Sequence, residues 1–132
     1  MQSPLPGNRE VADRLDLLGD LLEIEGAVRH RVLAYRRGAA RVRATPESVA
    51  AMALAGRAVQ LPDIGTTLQD KIAELATTGT IGALDRLTAR VPAGLAGVAR
   101  LPGIGPKRAR ALRQEAGVTS LDALRTALDD GR

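Results

Sequence analysis

The sequence predicts an all-α protein folded as a compact helical bundle, and three observations carry that prediction. Apolar residues recur at intervals of three and four along most of the chain, which is the spacing of a buried helix face. No segment reads convincingly as a strand. A five-residue phrase, Leu-Pro-x-Ile-Gly, occurs twice, beginning at Leu61 and at Leu101, and each copy stands just ahead of a helical pattern.

The first helix is marked by Val11, Leu15, Leu18 and Leu22, with Leu17, Leu21 and Ile24 widening the stripe into a broad apolar face. Gly26 is the expected break. Val28, Val32, Tyr35, Ala39 and Val42 trace a second helical seam and leave His30, Arg37 and Arg41 together on another side of that helix. Thr45 followed by Pro46 reads as an N-cap and first-turn residue, opening a third helix rich in alanine that runs to about Ala58. Each copy of the repeated phrase is followed by a helix and then by a second short one, "TIGALDRL" and "TSLDALRTAL".

A chain of 132 residues can bury most of its apolar surface without staples. The absence of cysteine excludes a disulfide framework and thiolate metal sites, and the single histidine leaves no zinc constellation. No apolar run is long enough to span a bilayer, and "MQSPLPGNRE" lacks the basic-then-apolar layout of a signal peptide. The expectation is a soluble, cytoplasmic, nucleoid-associated protein with no membrane partner.

The formal charge of +4 points to a polyanionic partner. Its placement says more. The first helix carries Glu10, Asp13, Asp16, Asp20, Glu23 and Glu25, whereas the second carries Arg29, Arg31, Arg36, Arg37, Arg41 and Arg43 with no acid between them. Such a segregated basic stripe reads as a phosphate-facing surface.

In "LPGIGPKRARAL" two glycines alternate with apolar residues ahead of a helix that begins at about Pro106, which is the helix-hairpin-helix pattern. Glycine reaches positive φ cheaply, and its missing side chain lets a phosphate approach the backbone. The N–H groups of the hairpin and of the next helical turn can then bond phosphate oxygens, aided by the helix dipole. Such a site reads the backbone and not the bases. The candidates are Gly65, Thr66 and Thr67 in the first copy, and Gly103, Gly105, Lys107, Arg108 and Arg110 in the second, alongside His30, Arg31, Arg37 and Arg41. Asp63 stands where the second copy has Gly103, and the first copy has only Lys71 nearby, so the arginine-rich second copy is expected to grip harder.

From about Asn8 to Leu128, "NREVADRLDLLGDLLEIEGAVRHRVLAYRRGAARVR", "LPDIGTTLQDKIAEL" and "LPGIGPKRARALRQEAGVTSLDAL" together resemble the N-terminal region of family X DNA polymerases, the group that contains polymerase beta. The resemblance implies a flexible arm over residues 1–8, a lyase-type helical domain with the first hairpin over residues 9–88, and a second hairpin subdomain over residues 89–132. It further implies that the first hairpin holds the 5′-phosphate side of a DNA gap and the second the primer-side strand. Each hairpin would take a monovalent cation, Na+ or K+, through the carbonyls of Val59, Leu61 and Ile64 and of Ala99, Leu101 and Ile104; no other cofactor is expected.

The resemblance also places a lyase nucleophile at Lys71, with a phosphate pocket formed by His30, Arg31 and Tyr35. The chemistry needs an uncharged amine that attacks a sugar aldehyde, forms a Schiff base and permits β-elimination of the phosphate. Of the 19 basic residues all but Lys71 and Lys107 are arginine, which stays protonated and cannot serve. Leu68, Ile72 and Leu75 make the seam of the Lys71 helix, with Lys71 at its edge. Thr67, Gln60 and Ala83 stand where the family has basic residues, so the pocket is electrostatically thin.

Nucleotidyl transfer by two metals needs clustered carboxylates on a rigid frame. The chain has no Asp-x-Asp on a strand, and Asp129 and Asp130 lie near its C-terminus. It is expected to be a fragment or a stand-alone module, with a polymerase catalytic domain following in a longer protein. Three function classes result: a module that binds gapped or nicked DNA without sequence preference, a 5′-deoxyribose phosphate lyase, and a helical protein-interaction module. The lack of tryptophan and phenylalanine argues against a stacking platform for single strands.

Overall fold

A computed structural model describes residues 4–130, all-helical with no strand among them; the outermost residues of the expected arm and second subdomain lie outside that range. Eight α-helices follow one another: α1 (Asn8–Glu25), α2 (Arg29–Ala44), α3 (Val49–Leu54), α4 (Thr66–Thr78), α5 (Gly82–Arg90), α6 (Leu95–Ala99), α7 (Gly105–Ala116) and α8 (Leu121–Asp129), with a single 3-10 turn at Ala58–Gln60. One continuous apolar core runs from Val11 to Ala127, and the boundary between residues 88 and 89 falls inside the last turns of α5. None of these helices is long and apolar enough to cross a membrane.

The central element is α1. Val11, Ala12, Leu15, Leu18, Leu21, Leu22 and Ile24 are all buried, a surface too wide for a single neighbour, and α1 packs on α2, α3, α5, α6 and α7. It stops at Gly26, whose φ of 92° turns the chain while its N–H closes onto Glu23 O at 3.1 Å. The return helix α2 runs antiparallel, because its late residue Arg43 meets the early Asp13 and its middle residue Arg36 meets the later Glu23.

Three expectations about helix ends need correction. Val28 is the N-cap of α2, 59% exposed, and not a seam residue, because the left-handed turn at Gly26 delays the helix to Arg29. Thr45 closes α2 and does not open α3: its hydroxyl donates to Arg41 O at 2.7 Å and its N–H to Val42 O at 3.2 Å. The cap of α3 is Ser48, whose Oγ accepts from Ala51 N at 3.2 Å. Asn8 secures this connection, its amide donating to Thr45 O and Glu47 O at 2.8 and 2.7 Å and its Oδ1 accepting from Val49 N at 2.9 Å. The third helix ends at Leu54, short of Ala58, because Gly56 takes φ 73° and Arg57 N folds back to Met52 O.

Gly38 sets how closely α2 approaches the first repeated phrase. A Cβ there would stand 2.5 Å from Leu68 Cδ1 and 3.7 Å from Ile64 Cδ1. Gly38→Val places a branched side chain against Leu68, which is itself buried, and is expected to lower stability by about 1–3 kcal/mol, read as a lower midpoint in urea unfolding with an unchanged slope.

Candidate nucleic-acid interface

In both copies of the repeated phrase the chain turns on the same bond. Ile64 N donates to Leu61 O at 3.3 Å in the first copy, and Ile104 N donates to Leu101 O at 3.1 Å in the second. The third residue of each is left-handed, Gly103 at φ 81° and Asp63 at φ 68°, the one described non-glycine residue with positive φ. That conformation costs an L-residue about 1 kcal/mol or more. The Asp63 carboxylate pairs with Arg41 of α2, Oδ2 to Nη2 at 3.6 Å.

The fifth residues differ. Gly105 needs its glycine, at φ 71°, whereas Gly65 sits at φ −91° and ψ −176°, extended backbone open to any residue. A Cβ at Gly65, Gly103 or Gly105 would meet no atom within 4 Å. At Gly65 the missing side chain therefore leaves room outside the protein and serves neither packing nor φ.

The N-cap residues of α4 and α7 supply no side-chain cap, as is also true of α1, α2, α5 and α6, whereas Ser48 and Ser120 close α3 and α8. Among the described residues the N–H groups of Gly65, Thr66 and Thr67 have no protein acceptor, nor do those of Gly105 and Lys107, while Pro106 has no N–H to offer. Two unpaired helix N-termini thus point outward, each with partial positive charge from the dipole. The first turn is held in place by Gln69, whose Oε1 accepts from Val59 N at 3.1 Å.

Beside the first turn, α2 and α4 enclose a recess of about 360 Å³ lined by His30, Arg31, Ala34, Tyr35, Thr67, Leu68 and Lys71. Arg29 and Arg31 flank His30 in the first turn of α2 with no acid among them, so two guanidiniums lie at the positive end of a helix, an arrangement an anion relieves. Lys71 is half-buried and, among the described residues, in no ion pair. Glu74 faces another way, accepting from Gly82 N at 3.0 Å. Tyr35 is a core ring, 4% exposed; burial raises its hydroxyl above the usual tyrosine range, with nearby Arg31 pulling the other way.

The basic stripe is divided by the fold. Arg36 pairs with Asp20 and Glu23 at 2.9 Å each, and Arg43 with Asp13 and Asp16 at 2.7 and 2.5 Å. Arg41 leans on Asp63, with its Nε enclosed and unpartnered. Arg29, His30, Arg31 and Arg37 remain exposed. In the second copy Lys107 and Arg108 are exposed, Arg108 donating to Gly103 O at 3.1 Å. Arg110 is turned inward to Glu25 O at 3.4 Å, and Arg113 to Arg90 O at 2.5 Å, so both act as partners for helix C-termini. The sequence reading missed this division, and also missed Asp20. Its signal was visible: one carboxylate inside the apolar run Leu17 to Leu22.

Residues 6–81 match the family described as "Helix-hairpin-helix domain". Over 121 residues the chain is 27% identical to the DNA polymerase/3′-5′ exonuclease PolX of Bacillus subtilis (strain 168), an alignment that covers 92% of this chain and 21% of that protein.

The Asp63–Arg41 contact makes a direct test of the first turn. Asp63→Gly removes backbone strain together with a half-exposed ion pair worth about 0–1 kcal/mol, so stability should change by less than about 1 kcal/mol. With a negative charge gone and Arg41 released, affinity for duplex DNA measured by fluorescence anisotropy should rise about threefold to tenfold, and more steeply at low salt.

Proposed function

The chain belongs to the helix-hairpin-helix domain family, and on that premise we propose that it is a DNA-binding module of a family X polymerase-like repair protein. It holds the sugar-phosphate backbone at nicks or gaps, without sequence preference, through both Leu-Pro-x-Ile-Gly turns. One observation carries the reading: both turns close on the same Ile N–H to Leu O bond and lead into a helix whose first N–H groups are unpartnered, beside a glycine whose missing side chain faces open space. In such a module a catalytic domain follows in the longer protein, as the similarity to one fifth of the Bacillus relative suggests, and the protein acts at the nucleoid.

The turns also offer the oxygen donors that a hard monovalent cation takes. Leu61 O and Leu101 O each accept one turn bond, which leaves a lone pair on each to join Val59 and Ile64, or Ala99 and Ile104, in holding Na+ or K+. A bound cation would add positive charge at the point where the phosphate approaches.

Gly65→Val is the sharpest test of the hairpin reading. Valine adopts the Gly65 backbone conformation without strain, so the melting temperature should hold, while the new side chain blocks the approach to Thr66 and Thr67. Loss of a charge-assisted bond of about 1.5–3 kcal/mol predicts a tenfold or greater loss of affinity for gapped duplex DNA. Lys107→Ala should lower affinity equally for unrelated sequences and reduce the salt slope by about one. A salt-independent affinity, or no DNA binding, would point instead to a protein-interaction module.

A second reading, lyase action through Lys71, is supported by the recess that gathers Lys71 with His30, Arg31 and Thr67. Borohydride reduction on gapped DNA bearing a 5′-deoxyribose phosphate should trap a covalent adduct with the wild type and none with Lys71→Ala or Lys71→Arg. Binding without an adduct in the wild type would leave the module as a gap holder alone.

A further inference from the structure

Three arginines make the polar attachment between the second turn and the part of the chain before Val91. Arg110 and Arg113 reach only backbone carbonyls, at the C-terminal ends of α1 and α5. Arg100 reaches a carboxylate. It is the C-cap of α6, the residue immediately before the second Leu-Pro-Gly-Ile-Gly phrase, and its Nη2 bonds Asp20 Oδ2 of α1. Among the described residues this is the one ion pair that joins the chain before Val91 to the chain after it.

Asp20 is also the one buried charged residue among those described, 7% exposed, and it is shared: Arg36 of α2 lies 2.9 Å from its other oxygen. Desolvating a carboxylate and its partners costs about as much as their attraction returns, so such a cluster contributes little net stability compared with apolar packing. What it does contribute is direction, because a carboxylate accepting from two guanidiniums fixes both. The cluster lies in a cleft of about 580 Å³ lined by Asp13, Asp16, Leu17, Asp20, Arg36, Arg43 and Arg100. Three carboxylates there face three guanidiniums, so the cleft has no excess charge with which to attract a phosphate. Its role is internal.

We propose that the Arg36–Asp20–Arg100 cluster is a positioning device that fixes the second turn relative to the first and thereby sets which gap length in a duplex both turns can hold at once. This rests on the reading of both turns as backbone-binding hairpins. Two linked sites engage one ligand strongly only when their separation matches its span, and a rigid connection makes that match sharp where a loose one makes it broad. Asp20 is buried while Arg36 and Arg100 reach solvent, so salt screens the cluster in part.

Arg100 is the residue to change, because Asp20 keeps Arg36 when Arg100 is lost and no buried charge is orphaned. The experiment measures affinity by anisotropy for an intact duplex and for duplexes whose single gap lengthens one nucleotide at a time, using wild type, Arg100→Gln and Arg100→Lys. The wild type should show a maximum at one gap length. Arg100→Gln should flatten the profile, cutting the ratio of best to worst gap by about tenfold, while intact-duplex affinity changes by less than about twofold. Arg100→Lys, which can still reach Asp20, should restore most of the maximum. A profile in Arg100→Gln that matches the wild type, or a wild-type profile that is already flat, overturns the positioning role. An equal loss on every substrate including the intact duplex overturns it too, by making Arg100 a direct phosphate contact. Absence of DNA binding by the wild type would sink the hairpin reading itself, a result distinct from these.

Discussion

The burial of α1 is the constraint on which the rest of the molecule depends. Its apolar residues do not form one stripe but cover most of its circumference, so α1 is shielded from water only when several helices gather around it. The short helices α5, α6 and α7 are too small to be stable alone and take their order from this shared surface. Both repeated turns adjoin elements that lean on α1, which explains how two phrases far apart in sequence come to share one apolar core.

Opposite charge on α1 and α2 follows from the same pairing. Two antiparallel helices with acids on one and arginines on the other match along their length, and the cluster from Asp13 to Glu25 draws in Arg43, Arg36, Arg100 and Arg90. Arg90 grips Glu25 with two nitrogens at 2.9 and 3.2 Å, and that bond holds the Glu25 carboxyl below its ordinary range. These arginines still reach solvent, but each has its charge balanced by a carboxylate of α1. Basic side chains without a carboxylate partner among the described residues include those at the start of α2, beside the Lys71 recess and at the start of α7.

The helices were legible because burial imposes its period on the sequence, and Leu68, Ile72 and Leu75 lie where that period puts them. Their ends were less so. At Thr45 two local rules competed, and the hydroxyl was used to finish α2 rather than to begin α3, because Ser48 and the sequence-distant Asn8 accept from the N–H groups of Ala51 and Val49. Of the candidate surface, Gly65, Gly103, Thr66, Thr67, Lys107 and Arg108 are exposed and Gly105 is half-buried, since a turn carries its own geometry. The arginines could not be sorted in this way, because a guanidinium on a long stem goes to whichever acceptor the fold brings near.

By itself, then, the sequence determined the helical class, the two turns and the residues able to present free N–H groups, all of which depend on neighbours within a few positions. Tertiary structure alone decided which charges remain available. Asp63 is neutralised by Arg41, Arg110 and Arg113 are spent on helix ends, and Asp20 is buried between two arginines from different parts of the chain. The physical reason is range: backbone conformation is set locally by sterics and capping, whereas an ion pair forms only where folding places both partners within a few ångströms.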